Sequence, residues 1–212
     1  MAEPKQERAV KTRAIILRAA AEVFDEFGFS GASISKIMKR AGMTQGGMYF
    51  HFKSKEALAL AVMTSQADDL ALPPGPDGLQ RVIDITFDLA YQLQHNTLFR
   101  AGVRLAVEQG EFGLQDDSAY QQWADVFAAQ FRAARATGDL LPEVDEDELG
   151  RVLVGAYSGT QLFSQISSGR ADLPERITSL WRYLLPGVAT AEARAGLRTD
   201  AARAELVGKA SR

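Results

Sequence analysis

The sequence of 212 residues contains no cysteine and only two histidines, His51 and His95. A disulfide framework, a thiol nucleophile and a thiolate metal site are therefore excluded. No metalloprotease motif, paired-carboxylate motif or glycine-rich phosphate loop occurs in the context that its chemistry requires. We therefore expect a protein that is not an enzyme, with no catalytic residues, no metal and no cofactor.

Long apolar runs are also missing, because no stretch approaches the roughly 20 residues that a membrane-spanning helix needs. The N-terminal stretch MAEPKQERAVKTR lacks the apolar core of a signal peptide. We therefore expect a cytoplasmic protein without a membrane partner.

The net charge of −3 is unevenly distributed along the chain. Residues 1–60 carry ten Lys and Arg against six Asp and Glu, a net charge of +4, so residues 61–212 carry −7. A basic N-terminal quarter on an acidic body indicates that one end meets a polyanion. Chance clustering of charge is the alternative interpretation.

Proline is scarce, and three of the seven prolines fall in the stretch LPPGPDG at 72–78, which predicts a loop and a boundary. Elsewhere apolar residues recur at helical spacing and no strand-like alternation appears. The sequence therefore predicts an all-α fold of about nine helices.

Four helices are predicted before the loop. The first carries a stripe of apolar residues and ends at Gly28, a natural C-cap. Ser33 offers the N-cap of a second helix of about two turns that stops at Gly42. Thr44 and Ser54 can cap the third and fourth helices. Later helices are expected over about 78–95, 98–109, 117–137, 146–168 and 172–188, with Asp145 and Glu148 as a capping box before the fourth of these.

The stretch TQGGMYFHF at 44–52 places two glycines before three aromatics and a histidine. The second and third helices, joined by a tight turn, predict a helix-turn-helix whose second helix enters the DNA major groove. Tyr49 and His51 can then donate to phosphates or touch base edges. Phe50 and Phe52 are expected to turn inward. The alternative is a helical hairpin that serves structure alone.

The stretch GASISKIMKRAGMTQGGMYFHFKSKEALA resembles the DNA-binding motif of the tetracycline-repressor (TetR) family of bacterial transcriptional regulators. The resemblance implies an N-terminal helix-turn-helix DNA-binding domain and a larger C-terminal helical domain for ligand binding and dimerisation. It also implies a homodimer that binds a palindromic operator in double-stranded DNA and releases it when a small ligand enters. The expected segments are a flexible N-terminus at 1–7, a DNA-binding domain at 8–68 with its recognition motif at about 31–52, a ligand-binding and dimerisation domain at 72–190, and a partly ordered tail at 191–212.

By this resemblance, a set of residues in the motif would contact DNA, namely Ser33, Thr44, Gln45, Gly46, Tyr49, His51 and Lys55. Two positions depart from many relatives, which carry lysine in place of Gln45 and alanine in place of Gly47. Gln45 removes a cation but can read an adenine edge through two hydrogen bonds. These two departures therefore affect which operator sequence is expected, and they leave the prediction of DNA binding unchanged.

A narrower resemblance rests on RAGVRLAVEQ at 100–109 and the isolated Trp123, which are similar to the γ-butyrolactone-receptor branch of the family. This resemblance implies a repressor released by a small diffusible γ-butyrolactone- or butenolide-type signal and controlling secondary metabolism. The acidic pI of about 5.5 favours a true receptor within that branch. The alternative is a regulator of the same fold that senses an antibiotic or xenobiotic and controls efflux or biosynthesis genes.

Trp123 would line the ligand pocket by resemblance, and Phe127 and Phe87 supply further apolar surface. Thr160 can donate a hydrogen bond to a lactone carbonyl, and Gln66 can also face the pocket. Ordinary core packing is the alternative for the aromatics, and a hydrogen bond to its own helix is the alternative for Thr160.

By analogy with the family, the helices at 146–168 and 172–188 build the homodimer interface. Gly155, Ser158 and Gly159 permit close helix approach, and Trp181 and Leu184 can add apolar contact. Packing of these residues within one chain is the alternative.

Overall fold

The computed structural model describes residues 5–68 and 72–211. Within those ranges the regular structure is helical, as the sequence predicted, apart from an isolated bridge between Leu140 and Ala189. The helices are α1 (Lys5–Gly31), α2 (Ile34–Ala41), α3 (Gln45–His51), α4 (Lys55–Asp68), α5 (Leu79–His95), α6 (Thr97–Glu108), α7 (Ser118–Ala136), α8 (Glu146–Ser168), α9 (Leu173–Leu184), α10 (Ala191–Gly196) and α11 (Arg203–Ala210).

Of the N-terminal segment 1–7, expected to be flexible, residues 1–4 lie outside the described ranges, and α1 already begins at Lys5. No helix within those ranges is both long and apolar enough to cross a membrane.

The chain divides into two compact units, one formed by α1–α4 with α6 and the other by α5 with α7–α11. The sequence separated the N-terminal helices from the rest at 72–78 and did not indicate that α6 packs with them. In the first unit α6 lies against both α1 and α4.

An apolar core holds the first unit together, with contributions from each of its helices. Its fully or almost fully buried members include Ile16, Phe24, Ile37, Met48, Leu58, Val62, Ala101 and Leu105. Full burial of an aliphatic or aromatic side chain of this kind is worth about 1.5–3 kcal/mol. Hydrophobic burial is therefore what orients the short helices α2 and α3.

Gly28 interrupts α1 but does not end it. Its φ of 70° and ψ of 178° are not helical, and helical backbone resumes as far as Gly31. The predicted end at Gly28 is therefore a kink. A Cβ at this position would lie 2.6 Å from Nη2 of Arg104, so the absence of a side chain leaves room for the Arg104 guanidinium of α6.

Local capping sets the ends of α2 as predicted. The Ser33 hydroxyl accepts a hydrogen bond from the Lys36 N–H at 3.2 Å. Gly42 takes the left-handed conformation, with φ 66°, and donates to Lys39 and Met38 carbonyls. Thr44 occupies the N-cap position of α3, although its side chain makes no capping hydrogen bond.

The second unit is built around α5, which is buried on nearly all sides. The helices α7 and α8 pack closely, because Gly150 lacks a side chain where a Cβ would lie 2.6 Å from the Ala124 carbonyl oxygen. The predicted cap of α8 is confirmed, since Asp145 accepts from the Glu148 N–H at 2.7 Å.

The helix predicted over 172–188 is shorter than expected. The helix α9 ends at Leu184 and continues as a 3-10 turn over Leu185–Gly187. Pro186 explains the change, because proline has no N–H for the helix ladder and its ring clashes with the preceding turn.

The expectation that the tail at 191–212 is only partly ordered differs from the structure, in which Ala191–Gly196 and Arg203–Ala210 form α10 and α11. The helix α11 packs on α5. A Cβ at Gly208 would lie 2.1 Å from the ring of Tyr91, so glycine permits this close approach. The Arg203 guanidinium pairs with Asp84 of α5 through two hydrogen bonds of 2.6 Å. The Arg203–Asp84 ion pair therefore helps to attach a tail that has little apolar surface.

Candidate DNA-binding surface and effector site

The short helix α3 has one buried face and one exposed face. Met48 and Phe52, four residues apart, are 0% and 5% exposed and fix the helix to the core. Tyr49 and Phe50 are 55% and 79% exposed. The expectation that Phe50 turns inward is wrong, because at about 100° per residue it lies roughly 200° around the helix from Met48. Met48 takes the inward position instead.

The two glycines of α3 leave its outer surface thin. A Cβ at Gly46 would have no neighbour within 4 Å, and one at Gly47 would touch only Met43 and Thr44 at van der Waals distance. Gly46 and Phe50 share a face because they are four residues apart. The exposed face therefore combines bare backbone with a projecting ring.

The other residues predicted to contact DNA differ in their exposure and in the protein groups that they contact. Thr44 is exposed, whereas the exposed Ser33 already uses its hydroxyl oxygen as a cap. His51 is partly exposed, and its ring lies edge-on to that of Phe50 with centroids 5.0 Å apart. The side chain of Gln45 lies outside the described part of the structure.

Lys55 is turned toward the protein. Its ammonium donates to the carbonyl oxygens of Phe29 at 3.0 Å and Ala32 at 3.2 Å, and it lies 4.0 Å from the centroid of the Phe29 ring. These contacts join α4 to the end of α1. At least two of its three donors therefore serve the fold of the first unit.

The stretch RAGVRLAVEQ has a structural role that the sequence did not reveal. Arg100 pairs with Asp25 at 2.9 Å, and Arg104 donates to the Asp25 carbonyl at 2.7 Å. Glu108 accepts from the Phe29 N–H at 2.7 Å and from Arg104 at 2.7 Å. Because these α6 residues recur every four positions, they form one row that holds the kinked end of α1.

The aromatic residues expected at the ligand pocket lie in the core of the second unit. Phe87 of α5 and Phe127 of α7 are 0% and 1% exposed. Trp123 is partly exposed and tilts against Phe127, with ring centroids 6.0 Å apart. The structure thus joins Trp123 to the apolar core through Phe127.

Thr160 is not brought to that cluster. Its hydroxyl donates to the Ala156 carbonyl at 2.7 Å, which is the alternative that the sequence left open. It lines a surface groove with residues of α9 such as Leu180 and Leu184. Thr160 also lies ten residues, or roughly 15 Å, along α8 from Gly150, which packs on α7. The side chain of Gln66 lies outside the described part of the structure.

Two buried polar side chains in the second unit were not predicted from the sequence. Asp88 is 1% exposed and Tyr157 is 8% exposed, and within the described residues the Asp88 Oδ1 and the Tyr157 hydroxyl have no hydrogen-bond partner. Burial raises the pKa of Asp88 to about 6, although hydrogen bonds from Gln92 and Ser211 oppose the shift. Burial also raises the pKa of Tyr157. The available signal was the position of Asp88 within the stretch ITFDLAY, where apolar and aromatic residues surround it.

The outer face of α8 carries large apolar residues at helical spacing. Val152, Phe163 and Ile166 are 51%, 60% and 77% exposed, with Gly155 and Gly159 between them. Trp181 does not belong to this face, because it is fully buried and its indole N–H donates to Thr86 at 2.8 Å. The expectation that Trp181 contributes to an interface is therefore wrong.

Two models of known protein families match this chain. Residues 16–62 match the family described as bacterial regulatory proteins, tetR family, and residues 77–190 match the tetracyclin repressor-like C-terminal domain. The chain belongs to the TetR family of bacterial regulators. The helix-turn-helix α2–α3 is thus the DNA-binding motif of a TetR-family protein.

Three individual relatives are similar to this chain over most of its length. The A-factor receptor protein of Streptomyces griseus is 39% identical over 185 residues, which cover 87% of this chain and 66% of that relative. The crystal structure of full-length TylP, a TetR regulator from Streptomyces fradiae, is 42% identical with a TM-score of 0.78 and covers 98% of this chain and 92% of its own. A γ-butyrolactone receptor described as ArpA-like is 30% identical with a TM-score of 0.75, covering 94% of this chain and 98% of its own.

The match to the TetR-family C-terminal domain ends at residue 190, so α10 and α11 lie beyond it. Within the described residues no three His, Asp or Glu side chains form a group that could hold a metal ion.

Proposed function

We propose that this chain is a homodimeric, cytoplasmic repressor that binds a palindromic operator through α3 and is released by a γ-butyrolactone- or butenolide-type signal. The observation that carries the DNA-binding part is the exposed face of α3, where Tyr49 projects beside the bare backbone of Gly46. Such a face suits close contact with a major groove. In this proposal residues 8–68 bind DNA and residues 72–190 bind the effector and the second subunit.

Within the motif, Thr44, Gln45, Gly46, Tyr49 and His51 are proposed to contact DNA directly. Ser33 and Lys55 are proposed to act near phosphates while also serving the fold, because both already hold backbone groups of the first unit. Phosphate contacts position the protein, whereas base contacts give specificity.

The proposed dimer uses the outer faces of α8 and α9. Large apolar residues exposed at helical spacing need a partner, because contiguous apolar patches of this kind mark interaction surfaces. Gly155 and Gly159 lie within the patch and permit close approach of a helix from the second copy. A two-fold axis would match the palindromic operator.

The proposed effector site is the aromatic region around Trp123, Phe127 and Phe87 in the second unit. Its support is the similarity to the A-factor receptor protein and to the γ-butyrolactone receptor. Small-ligand sites are mostly apolar with a few polar groups. Effector binding would favour a conformation whose recognition helices no longer fit successive major grooves. Genes of secondary metabolism are the proposed targets.

Electrophoretic retardation of the DNA upstream of the protein's own gene tests this proposal. The purified protein is expected to retard that DNA, and synthetic γ-butyrolactones or butenolides are expected to release it. Tyr49→Ala should abolish retardation while the dimer persists in size-exclusion chromatography. Trp123→Ala should still bind DNA but no longer respond to the lactone. Release by antibiotics alone would favour a xenobiotic sensor.

A further inference from the structure

Phe50 is the most exposed aromatic residue of α3, with 79% of its surface open to solvent. Its described aromatic contact is the edge-on packing against His51, at 5.0 Å between centroids and 85° between ring planes. This contact orients the ring without covering it. A partner that covers this benzyl group would gain hydrophobic free energy.

The surroundings of Phe50 leave room for a flat partner. Side chains on a helix lean toward its N-terminus, so the ring of Phe50 inclines toward the turn that contains Gly46. A Cβ at Gly46 would meet no atom within 4 Å. Ring and open backbone therefore lie on the same face of α3, with no side chain between them at that position.

The chemistry of a major groove restricts what Phe50 can contact. Phenylalanine has no hydrogen-bond donor, so it cannot bind a phosphate oxygen as Tyr49 can. The thymine C5-methyl is the apolar group that base pairs present on the major-groove edge. Phenylalanine is among the side chains that make such apolar contacts.

We propose that Phe50 packs against a thymine C5-methyl in each half of the operator and so selects a T·A pair at that position. This inference rests on the proposed function, because it requires that α3 enter the major groove. It adds a specificity-determining residue to the predicted DNA contacts. Gly46 leaves the space into which the base-pair edge fits.

Substitution of deoxyuridine for thymidine tests the contact, because it removes the methyl group and keeps every hydrogen bond. A duplex operator is first selected with the wild-type protein from a random pool, and each thymine is then replaced singly. One position in each half-site should bind about four-fold more weakly, the factor expected for one buried methyl group. Replacement in both half-sites should weaken binding roughly fifteen-fold.

The variant Phe50→Ala ties that loss to the side chain. It should bind the thymine operator more weakly but bind the thymine and uracil operators equally. Phe50→Leu, which keeps an apolar group, should retain part of the preference for thymine. Because Phe50 is exposed, both variants should unfold at the wild-type temperature.

The outcomes separate the inference from the proposed function. If no duplex is selected from the pool, DNA binding itself fails. If the protein selects an operator but no thymine position responds to uracil, or if the response persists in Phe50→Ala, the thymine contact is overturned while DNA binding stands. Equal affinity of Phe50→Ala and wild type would overturn it as well.

Discussion

Arg203 in the C-terminal helix and Asp84 in α5 form a two-point ion pair, with Nε 2.6 Å from Oδ1 and Nη2 2.6 Å from Oδ2. Both side chains are 12% exposed, so water screens the pair little. The pair joins residues 119 positions apart and is central to the attachment of the tail.

Removal of Arg203 should therefore destabilise the second unit. Arg203→Ala leaves the Asp84 carboxylate nearly buried without its cation, at a cost of about 3 kcal/mol. The free energy of unfolding is measured by urea denaturation. Lys209→Ala is the matched control, because Lys209 pairs with Glu205 at an exposed position and should cost under about 1 kcal/mol. Equal stability of the two variants would contradict this account of the tail.

Alanine substitution should lower the stability of the protein at Gly28 and raise it at Gly46. At Gly28 the positive φ strains any side chain, and the new Cβ would meet Arg104 and Glu108 at 2.6 and 2.9 Å. Gly28→Ala should destabilise the protein by about 2 kcal/mol or more. Gly46→Ala fills open space in a helix and should stabilise it by up to about 1 kcal/mol.

Thermal denaturation measures both glycine variants, and operator affinity provides a second readout. Gly46→Ala should weaken DNA binding because the added methyl occupies the surface that meets the groove. A stable Gly28→Ala protein would mean that the kink in α1 tolerates a side chain and that the Arg104 and Glu108 side chains can move aside.

Several elements were predictable because they depend on neighbours in sequence. The caps at Ser33, Gly42 and Asp145 follow from local hydrogen bonding, and the structure confirms them. The orientation of Phe50 was not predictable in the same way. In a helix of seven residues, the inward face depends on tertiary contacts of Met48 and Phe52 with other helices.

Long-range polar contacts account for most of the other differences between the sequence-based predictions and the structure. The sequence shows the tail to be poor in apolar residues but does not show that Arg203 meets Asp84. Likewise RAGVRLAVEQ was recognised as distinctive, but its contacts with Asp25 and Phe29 lie more than 70 positions away along the chain. Pairing of this kind is fixed by the assembled fold and leaves no local periodicity.

The buried carboxyl group of Asp88 should make stability depend on pH. Burial raises its pKa from the usual 3.8 to about 6, so the folded state binds the proton more tightly than the unfolded chain does. The stabilisation is complete below about pH 4 and is lost as the pH rises through about 6, with a size on the order of 2 kcal/mol. Asp88→Asn should therefore raise the melting temperature at pH 7.5 but not at pH 4.

Asp172 provides a control of opposite sign. Hydrogen bonds from Ser164 and Ser168, followed by Arg176, lower the pKa of its carboxyl group to about 2. The resulting stabilisation is present above about pH 4 and is lost as the pH falls toward 2. Asp172→Asn should therefore lower the melting temperature at pH 7.5. A change of the same sign in both variants would contradict the assigned electrostatics.

The proposed dimer face can be tested at Ile166, which is 77% exposed on α8. Ile166→Glu places a charge in the apolar face, and a charge buried against the same face of a second copy is strongly unfavourable. The variant should shift from dimer to monomer in sedimentation velocity at micromolar concentration. Its operator affinity should fall with the dimer, because two half-sites then bind independently.

Val10→Glu is the matched control, because Val10 is 64% exposed on α1 in the other unit and undergoes the same change from apolar to acidic. Its sedimentation coefficient should remain that of the wild-type dimer. Ile166→Glu should also keep its helical circular dichroism, since the exposed side chain contributes little to the core. If Ile166→Glu remains dimeric at the lowest measurable concentration, the interface must lie elsewhere, and the exposed face of α8 would need a different partner.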